Sequence, residues 1–472
     1  MTKNKIRKIY LIVIAIYVAL VTSFYFLAGE RIQYKDSTKN IKMDEADSIS
    51  KELIKGTIIQ QDFYNSIDKI ESLEFVFTKN YQEGLGKITI DLLDNNYLLA
   101  REIIDLHDIP EQHRVYMELD KPIVGRSDQD LTIRIYGNSP EGLGAYAMMN
   151  SKKEDSSITV NNQALNGSLC FAVTGSEKIS LAPYYWLIMG AVGLTLSIFL
   201  FTSYKRYQKG KNDYLVTGIN ALDRYKFLID QLVSRDFKSK YKRSVFGIFW
   251  SFLNPLLTMI VQFLVFSTFF MADTKNYPVY LIVGVVCYSF FNECTTMCLN
   301  SLTSNYRLIT KVYIPKYIFP LSKTMSSSVN LLISLAPLLL VSIFTGTVLH
   351  WSFFLMFYFL VCLILFSLGV GMVLATLMVF FRDIRFIWSV ILTIWQYMTP
   401  IFYPAEIIPE RYKFIVQFNP LYHFIGNARK CLIDGISPEP ISYIYCLIFA
   451  VGSLLIGSYI FKKCQDKFTL YL

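Results

Sequence analysis

Charge is scarce in this 472-residue chain: Asp, Glu, Lys and Arg make up 18% of it, against 53% hydrophobic residues. With a mean hydropathy of +0.36, that balance excludes a disordered chain and an ordinary soluble protein, and makes a polytopic membrane protein the expectation. Cysteine is thin where a disulfide framework would need it. Of eight cysteines only Cys170 lies in residues 29–182, and no C-x-x-C pair occurs, so no internal bridge staples that block. The four histidines (His107, His113, His350, His423) are scattered without metal-ligand spacing. A phosphate-binding G-x-x-x-x-G-K-[ST] loop is missing. Gly86-Lys87 and Gly210-Lys211 lack both the spacing and the following Ser/Thr, so the chain is not expected to hydrolyse ATP, and no cofactor is expected in it.

The charge that is present is unevenly placed. Residues 29–182 hold 25 acidic and 17 basic residues, a net of −8, whereas the whole chain carries +9. The basic excess flanks apolar runs, which reads as the positive-inside bias and not as nucleic-acid binding. Lys3, Lys5, Arg7 and Lys8 precede an apolar run from Ile9 to Ala28. This run is long enough to cross a bilayer and is expected to be a retained anchor (1–28) with its N-terminus in the cytoplasm. A second span, Tyr184 to Thr202 within segment 183–212, ends in Tyr204-Lys205-Arg206-Tyr207-Gln208-Lys209-Gly210-Lys211, so residues 29–182 are expected outside the plasma membrane.

In segment 213–246, Tyr225, Leu228, Ile229, Leu232 and Val233 recur at helical spacing, with Lys226, Asp230 and Arg235 off the stripe. The pattern predicts an amphipathic helix in the inner interface. Six further apolar stretches follow within 247–472, at 247–270, 278–298, 322–345, 352–380, 385–402 and 441–461. Eight spans place every basic cluster on one side, both termini in the cytoplasm, and a proline-rich segment 403–440 as a re-entrant outer piece.

Within the outer block the period changes to two. Leu73, Phe75, Phe77; Ile88, Ile90, Leu92; Val115, Met117; Leu131, Ile133, Ile135; and Leu169, Phe171, Val173 alternate with polar neighbours between turn residues. This predicts an extracytoplasmic all-β sandwich, entered through a short helix or linker at 43–55. Its pattern of strands and turns resembles jelly-roll domains of the galactose-binding kind, which often bind carbohydrate. The block has no tryptophan; Tyr64, Tyr81, Tyr97, Tyr116, Tyr136 and Tyr146 are its candidate sugar platforms.

Four stretches of the membrane part carry a likeness to a known family. They are Arg235-Asp236-Phe237-Lys238-Ser239-Lys240-Tyr241-Lys242-Arg243-Ser244-Val245-Phe246-Gly247 with Trp250 and Asn254-Pro255; Asn305-Tyr306-Arg307-Leu308-Ile309-Thr310-Lys311-Val312-Tyr313-Ile314-Pro315-Lys316; Phe381-Arg382-Asp383-Ile384; and Met398-Thr399-Pro400-Ile401-Phe402-Tyr403 closing with Asn419-Pro420-Leu421. Residues 213–472 resemble the membrane subunits of type-2 ABC transporters, in particular exporters of lipid-linked polysaccharide such as O-antigen and teichoic acid permeases. Two departures are the extra span and outer domain fused in front, and Lys240 where family members often have arginine.

The resemblance implies a homodimer working with two copies of a cytoplasmic ATPase subunit, which binds ATP and Mg, and a lipid-linked glycan as substrate. It makes Asn305, Tyr306, Arg307, Lys311, Tyr313, Pro315 and Lys316 an ATPase coupling loop. It makes Arg235, Lys238, Lys240, Lys242 and Arg243 an inner gate for a lipid headgroup. Trp395, Tyr397, Pro400, Phe402 and Tyr403 become a pore or outer gate. The competing reading is a membrane glycosyltransferase or polysaccharide polymerase, with Glu406, Glu410, Arg411, Arg429 and the intramembrane Glu293 as candidates. A membrane-anchored sugar sensor would leave six spans unexplained, and a drug exporter of the same fold would leave the outer domain unexplained.

Overall fold

The computed structural model describes residues 3–41, 43, 46–79, 86–108, 114–151, 158–161, 163–165, 167–180, 182–209, 214–242, 244–270, 276–312 and 314–471. The chain divides into two compact units, Ile32–Tyr185 and Met1–Arg31 with Trp186–Leu472.

The first unit is all-β. Its described strands are β1 (Tyr34–Ile41), β2 (Ser48–Ile49), β3 (Ile58–Asn65), β4 (Lys69–Lys79), β5 (Lys87–Asp94), β6 (Tyr97–Asp105), β7 (Arg114–Val124), β8 (Gln129–Gly137), β9 (Ala145–Asn150), β10 (Ile158–Val160), β11 (Gln163–Leu165), β12 (Ser168–Leu169) and β13 (Phe171–Lys178). They form a seven-stranded sheet, β1-β13-β4-β9-β12 with β2 on β9 and β7 on β4, and a six-stranded sheet, β11-β10-β3-β8-β5-β6. The alternating residues named above all lie in the one core between the sheets. Phe171 stacks on Phe75 of its own sheet at 5.9 Å and meets Phe63 of the other edge-on at 5.2 Å. Period-two alternation puts one side of every strand into this layer.

The expected short helix or linker at 43–55 is corrected. Ser48 and Ile49 pair with β9, Ile54 and Lys55 bridge to Ser139 and Gly137, and Leu53 is fully buried in the core. Short polar and β-branched residues here favour extended backbone over helix, and a single leucine suffices to plug the layer.

Asp91 lies on the outer face of β5 yet is fully buried. Arg101 closes on it from β6 (Nε to Oδ1 2.7 Å, Nη2 to Oδ2 3.1 Å) and Arg134 from β8 (Nη2 to Oδ2 2.9 Å). Burial works against its charged form, but the hydrogen bonds and charges of the two guanidinium groups outweigh that and hold its carboxyl below the usual range. A depressed folded value adds stability above the unfolded pKa of about 3.9, and that stability is lost as pH falls through the folded value. Asp91→Asn is therefore expected to speed hydrogen exchange in β5 and β8 at neutral pH. Parent and variant should converge, after correction for intrinsic rates, only as the pH falls from about 3.9 through the lower folded value. Equal exchange at neutral pH would contradict the assignment.

The second unit is helical: α1 (Lys3–Ala28), α2 (Tyr185–Gln208), α3 (Tyr214–Tyr241), α4 (Phe249–Phe270), α5 (Tyr277–Leu299), α6 (Tyr306–Lys311), α7 (Ile318–Phe344), α8 (Phe353–Phe380), α9 (Ile384–Met398), α10 (Glu410–Gln417), α11 (Pro420–Arg429), α12 (Pro440–Cys464) and α13 (Phe468–Tyr471). Seven of the described helices are long and apolar enough to cross a membrane, and α9 is a shorter apolar helix of 15 residues. At 1.5 Å per residue α9 is only about 22 Å long, because the chain unwinds at Thr399 before Pro400.

Antiparallel packing of α1 and α2 is fixed by Tyr10 Oη with Ser203 Oγ (2.8 Å) and by Tyr17 Oη donating to the Met189 carbonyl (2.6 Å). Phe24 of α1 then meets Tyr443 of α12 edge-on at 4.8 Å. Within the core α8 and α12 touch backbone to backbone at Gly369 and Gly457, where an added Cβ would sit 2.4 Å and 2.2 Å from the facing main chain. Small residues permit such approach where lipid supplies no hydrophobic drive for association.

Candidate functional site: inner helix, coupling loop and broken outer span

Helix α3 forms because its apolar stripe repeats every three to four residues. Ile229 and Leu232 are buried, while Lys226 and Asp230 face out. The stripe packs on Leu302, Ile318 and Phe319, so α3 lies against the loop joining α5 to α7 as well as on α7 itself. The last turns of α3 carry the cations of the expected inner gate. Arg235 Nη2 donates to Asn305 Oδ1 at 2.9 Å, and Asp236 is held by Lys323 of α7 through both carboxylate oxygens at 2.8 Å. Lys240 Nζ lies 2.8 Å from Glu293 Oε1 of α5, and Asn330 Nδ2 of α7 donates to the same oxygen at 2.6 Å. Lys238 and Lys242 are exposed; Arg243 lies outside the described residues.

Glu293, within the apolar helix α5, is therefore matched by a lysine and an amide, as a carboxylate in a membrane-spanning helix requires. The pair stands at the edge of a cavity of about 180 Å³ lined by Trp250, Ser251, Asn254, Ser289 and Ser334 among others. A second space of about 400 Å³, reaching Asp236 and Met297, shares Lys240, Glu293 and Asn330. The lining of the first combines hydroxyl and amide groups and one ion pair with the apolar side chains of Trp250, Pro255, Val286, Phe290 and Leu331. Sequence reasoning named Glu293 and Lys240 separately. A carboxylate inside a span announces that it needs a cation, but not which one.

The loop between α5 and α7 splits into two faces. Tyr306, Arg307 and Lys311 are exposed along α6, whereas Ile309 is buried. Asn305 is also buried, donating through Nδ2 to the Ser301 carbonyl at 2.7 Å while accepting from Arg235. Lys316 Nζ donates to the Gln465 carbonyl at 2.5 Å and faces the Phe468 ring, and Pro315 is half-buried. Tyr313 lies outside the described residues. The exposed side chains form a short free edge, and the inward ones fasten that edge to α3 and to the C-terminal helices.

At the other end of the core, unwinding at Pro400 frees carbonyls that would be unpaired in the membrane. Arg429, at the end of α11 and buried, takes two of them: Nη1 donates to Pro400 O at 2.6 Å and Nη2 to Ile401 O at 2.9 Å, while Nε donates to the Tyr280 carbonyl of α5 at 3.1 Å. Its guanidinium lies 3.4 Å above the Tyr280 ring. Tyr277 and Tyr280 hydroxyls donate to the Phe402 and Tyr403 carbonyls, both at 2.7 Å. Of the expected outer-gate residues, Trp395 packs on Phe291 (5.1 Å) and donates to Asn419 Oδ1 at 2.7 Å, and Phe402 stacks on Phe266 at 5.4 Å. Tyr403 Oη donates to the Tyr397 carbonyl at 2.8 Å, and Tyr397 is 64% exposed, so only Tyr397 of this set presents an open ring. The sequence marks Pro400 as the break but carries no sign that Arg429 closes it, because the two are 29 residues apart and meet only through α11.

The family model described as "ABC-2 type transporter" matches residues 228–433, which span α3 to the end of the π-helical turn after α11. The chain is 30% identical over 249 residues to an O-antigen export system permease protein RfbA of Klebsiella pneumoniae, covering 51% of this chain and 95% of that protein. It is 26% identical over 256 residues to RfbA of Myxococcus xanthus, covering 54% and 98%. A polysialic acid transport protein KpsM of Escherichia coli is 21% identical over 258 residues, covering 51% and 95%. With almost the whole of an RfbA permease matched, the chain belongs to the ABC-2 type transporter family as a membrane permease subunit.

Proposed function

We propose that this chain is the membrane subunit of an exporter that moves a lipid-linked polysaccharide across the bacterial plasma membrane, driven by a separate ATPase subunit. The observation that carries this reading is the near-complete alignment with O-antigen permeases. Two copies line the path, and each docks one ATPase chain through Tyr306, Arg307 and Lys311. Eight crossings, with α9 and the broken segment after it as one of them, keep both termini in the cytoplasm and residues 29–182 outside. The packing of α1 on α12 is compatible with a dimer, since it leaves α4 and α9 with exposed apolar faces at Val261, Leu264, Phe386 and Val390. The glycosyltransferase or polymerase alternative is weakened by Arg429, whose donors are turned onto backbone carbonyls. Cells lacking this chain are expected to retain the lipid-linked glycan on the inner leaflet and lose it from the surface. Unchanged surface glycan would overturn the proposal.

The mechanism follows from the links on α3. Closure of the ATPase pair presses on α6; Asn305 passes the displacement to Arg235, and Asp236–Lys323 keeps α3 and α7 moving together. At the end of α3, Lys240 holds Glu293 beside the mixed polar and apolar cavity. An incoming phosphate competes with Glu293 for that ammonium, since both are oxyanions. Glu293→Gln and Lys240→Gln are each expected to lower export about tenfold, with the exchanged pair Lys240→Glu and Glu293→Lys recovering part of it. The pair is partly exposed (44% and 29%), so protein stability should change little. Export unchanged in both single variants would contradict a role for the pair.

A further inference from the structure

The outer face of the six-stranded sheet carries a row of polar side chains that register places side by side. Thr159 of β10 lies opposite Gln60 of β3, Gln60 opposite Arg134 of β8, Arg134 opposite Asp91 of β5, and Asp91 opposite Arg101 of β6. Five strands at about 4.8 Å spacing make this row roughly 19 Å long. On one side runs a second row, Ile58, Tyr136, Thr89 and Ile103, in which Ile58 and Ile103 are 40% and 56% exposed. On the other side Thr132 Oγ1 donates to Asp62 Oδ1 at 2.6 Å.

We infer that this face is a binding site for a neutral polysaccharide chain, held along the row Gln60, Arg134, Asp91 and Arg101 with Tyr136 beside it. Four observations lead there. The guanidinium groups are fixed before any ligand arrives, because each uses Nε and Nη2 on the buried Asp91 and leaves Nη1 outside that pairing. Fixed planar donors and acceptors pair with the adjacent hydroxyls of a sugar without paying for side-chain ordering. Tyr136 in the neighbouring row and the two exposed isoleucines offer apolar contact for the C–H faces of sugar rings. Charge within the three rows balances, with Asp62 and Asp91 against Arg101 and Arg134. The surrounding block carries a net of −8, which repels a polyanion at long range. The opposite sheet also carries a polar row, Thr38, Thr174, Ser72 and Glu118, and an exposed Tyr116 beside the Arg114–Glu74 pair (2.9 Å), but no two guanidinium groups fixed on one buried carboxylate among its described residues.

This inference rests on the polysaccharide reading above and adds a place where the polymer is held. The test uses the full chain in lipid nanodiscs and the surface polysaccharide of the cells that make the protein, separated by anion exchange into neutral and acidic fractions. The neutral fraction is expected to bind, and both Gln60→Ala and Arg134→Lys to weaken it about tenfold, while Tyr116→Ala has no effect. Gln60→Ala leaves the Asp91 cluster intact, so its effect cannot come from unfolding. Binding of neither fraction, binding that ignores both row variants, or binding of the acidic fraction alone would each overturn the inference. The assay contains no ATPase and no transport step. A negative result therefore removes this face and leaves the exporter reading to its own test.

Discussion

Arg429→Ala is expected to destroy the half of the helical unit around the break at Pro400. The substitution removes the buried guanidinium that donates to the Tyr280, Pro400 and Ile401 carbonyls at 2.6–3.1 Å, leaving Pro400 O with a long bond from Tyr280 Oη at 3.3 Å and Ile401 O without its charged donor. Each buried acceptor left without a donor costs about 1–3 kcal/mol, and no water is at hand in a bilayer to replace it. The loss is larger than for an ordinary core truncation because the break then keeps only neutral donors such as the Tyr277 and Tyr280 hydroxyls. Arg429→Lys should recover only part, since one ammonium cannot reach three divergent carbonyls and cannot stack on Tyr280 in the same way. Gly284 enters the same account: a Cβ there would sit 2.7 Å from Arg429 Nη2 and 3.0 Å from Ile401, so Gly284→Ala should act as a mild version of the arginine variants. Thermal unfolding of the purified chain in detergent reads all three. An alanine variant as stable as the parent would mean that the arginine is not what closes the break.

The second large effect is expected at Asp236. Its carboxylate and the Lys323 ammonium are 8% and 12% exposed and in contact through both oxygens. Removing the acid leaves a buried cation at the inner end of α7, which costs about 3–5 kcal/mol. Asp236→Ala should therefore loosen α3 from α7 and lower the unfolding temperature sharply. Lys323→Met combined with Asp236→Ala should restore much of the loss, because replacing a buried pair by apolar groups is often nearly neutral. Export should stay impaired in the double variant even when stability returns, since α3 has lost its link to α7. Recovery of both properties together would make the pair a packing feature only.

Much of the architecture is legible in the sequence, and the reason differs between the units. In the sandwich, a strict alternation such as Leu131, Ile133, Ile135 has one way to bury its apolar side, so pattern and core coincide. In α3 the stripe Ile229, Leu232 similarly admits one buried face. Inside the bilayer such signals fade, because helices are apolar all round and composition no longer says which face meets protein. The ion pairs Lys240–Glu293 and Asp236–Lys323 join residues 53 and 87 positions apart, and several lysines could have satisfied either acid on paper. Segment 43–55 misled because a two-residue strand such as Ser48–Ile49 is too short to show any period. Asp91 and its arginines were invisible for another reason: a buried carboxylate on the outer face of a strand reads as an ordinary exposed residue until its cross-strand neighbours are known.

The central claim is that this permease takes its energy from a separate ATPase docked on α6. The measurement that tests it most directly is purification of the tagged chain from native membranes in mild detergent, with co-purifying chains identified by mass and assayed for ATPase activity. The account predicts an ATPase chain in equal amount, lost when Arg307 and Lys311 are both replaced by glutamate while the variant permease remains folded. A folded permease that brings down no ATPase, or one that keeps its ATPase in the double variant, would contradict it.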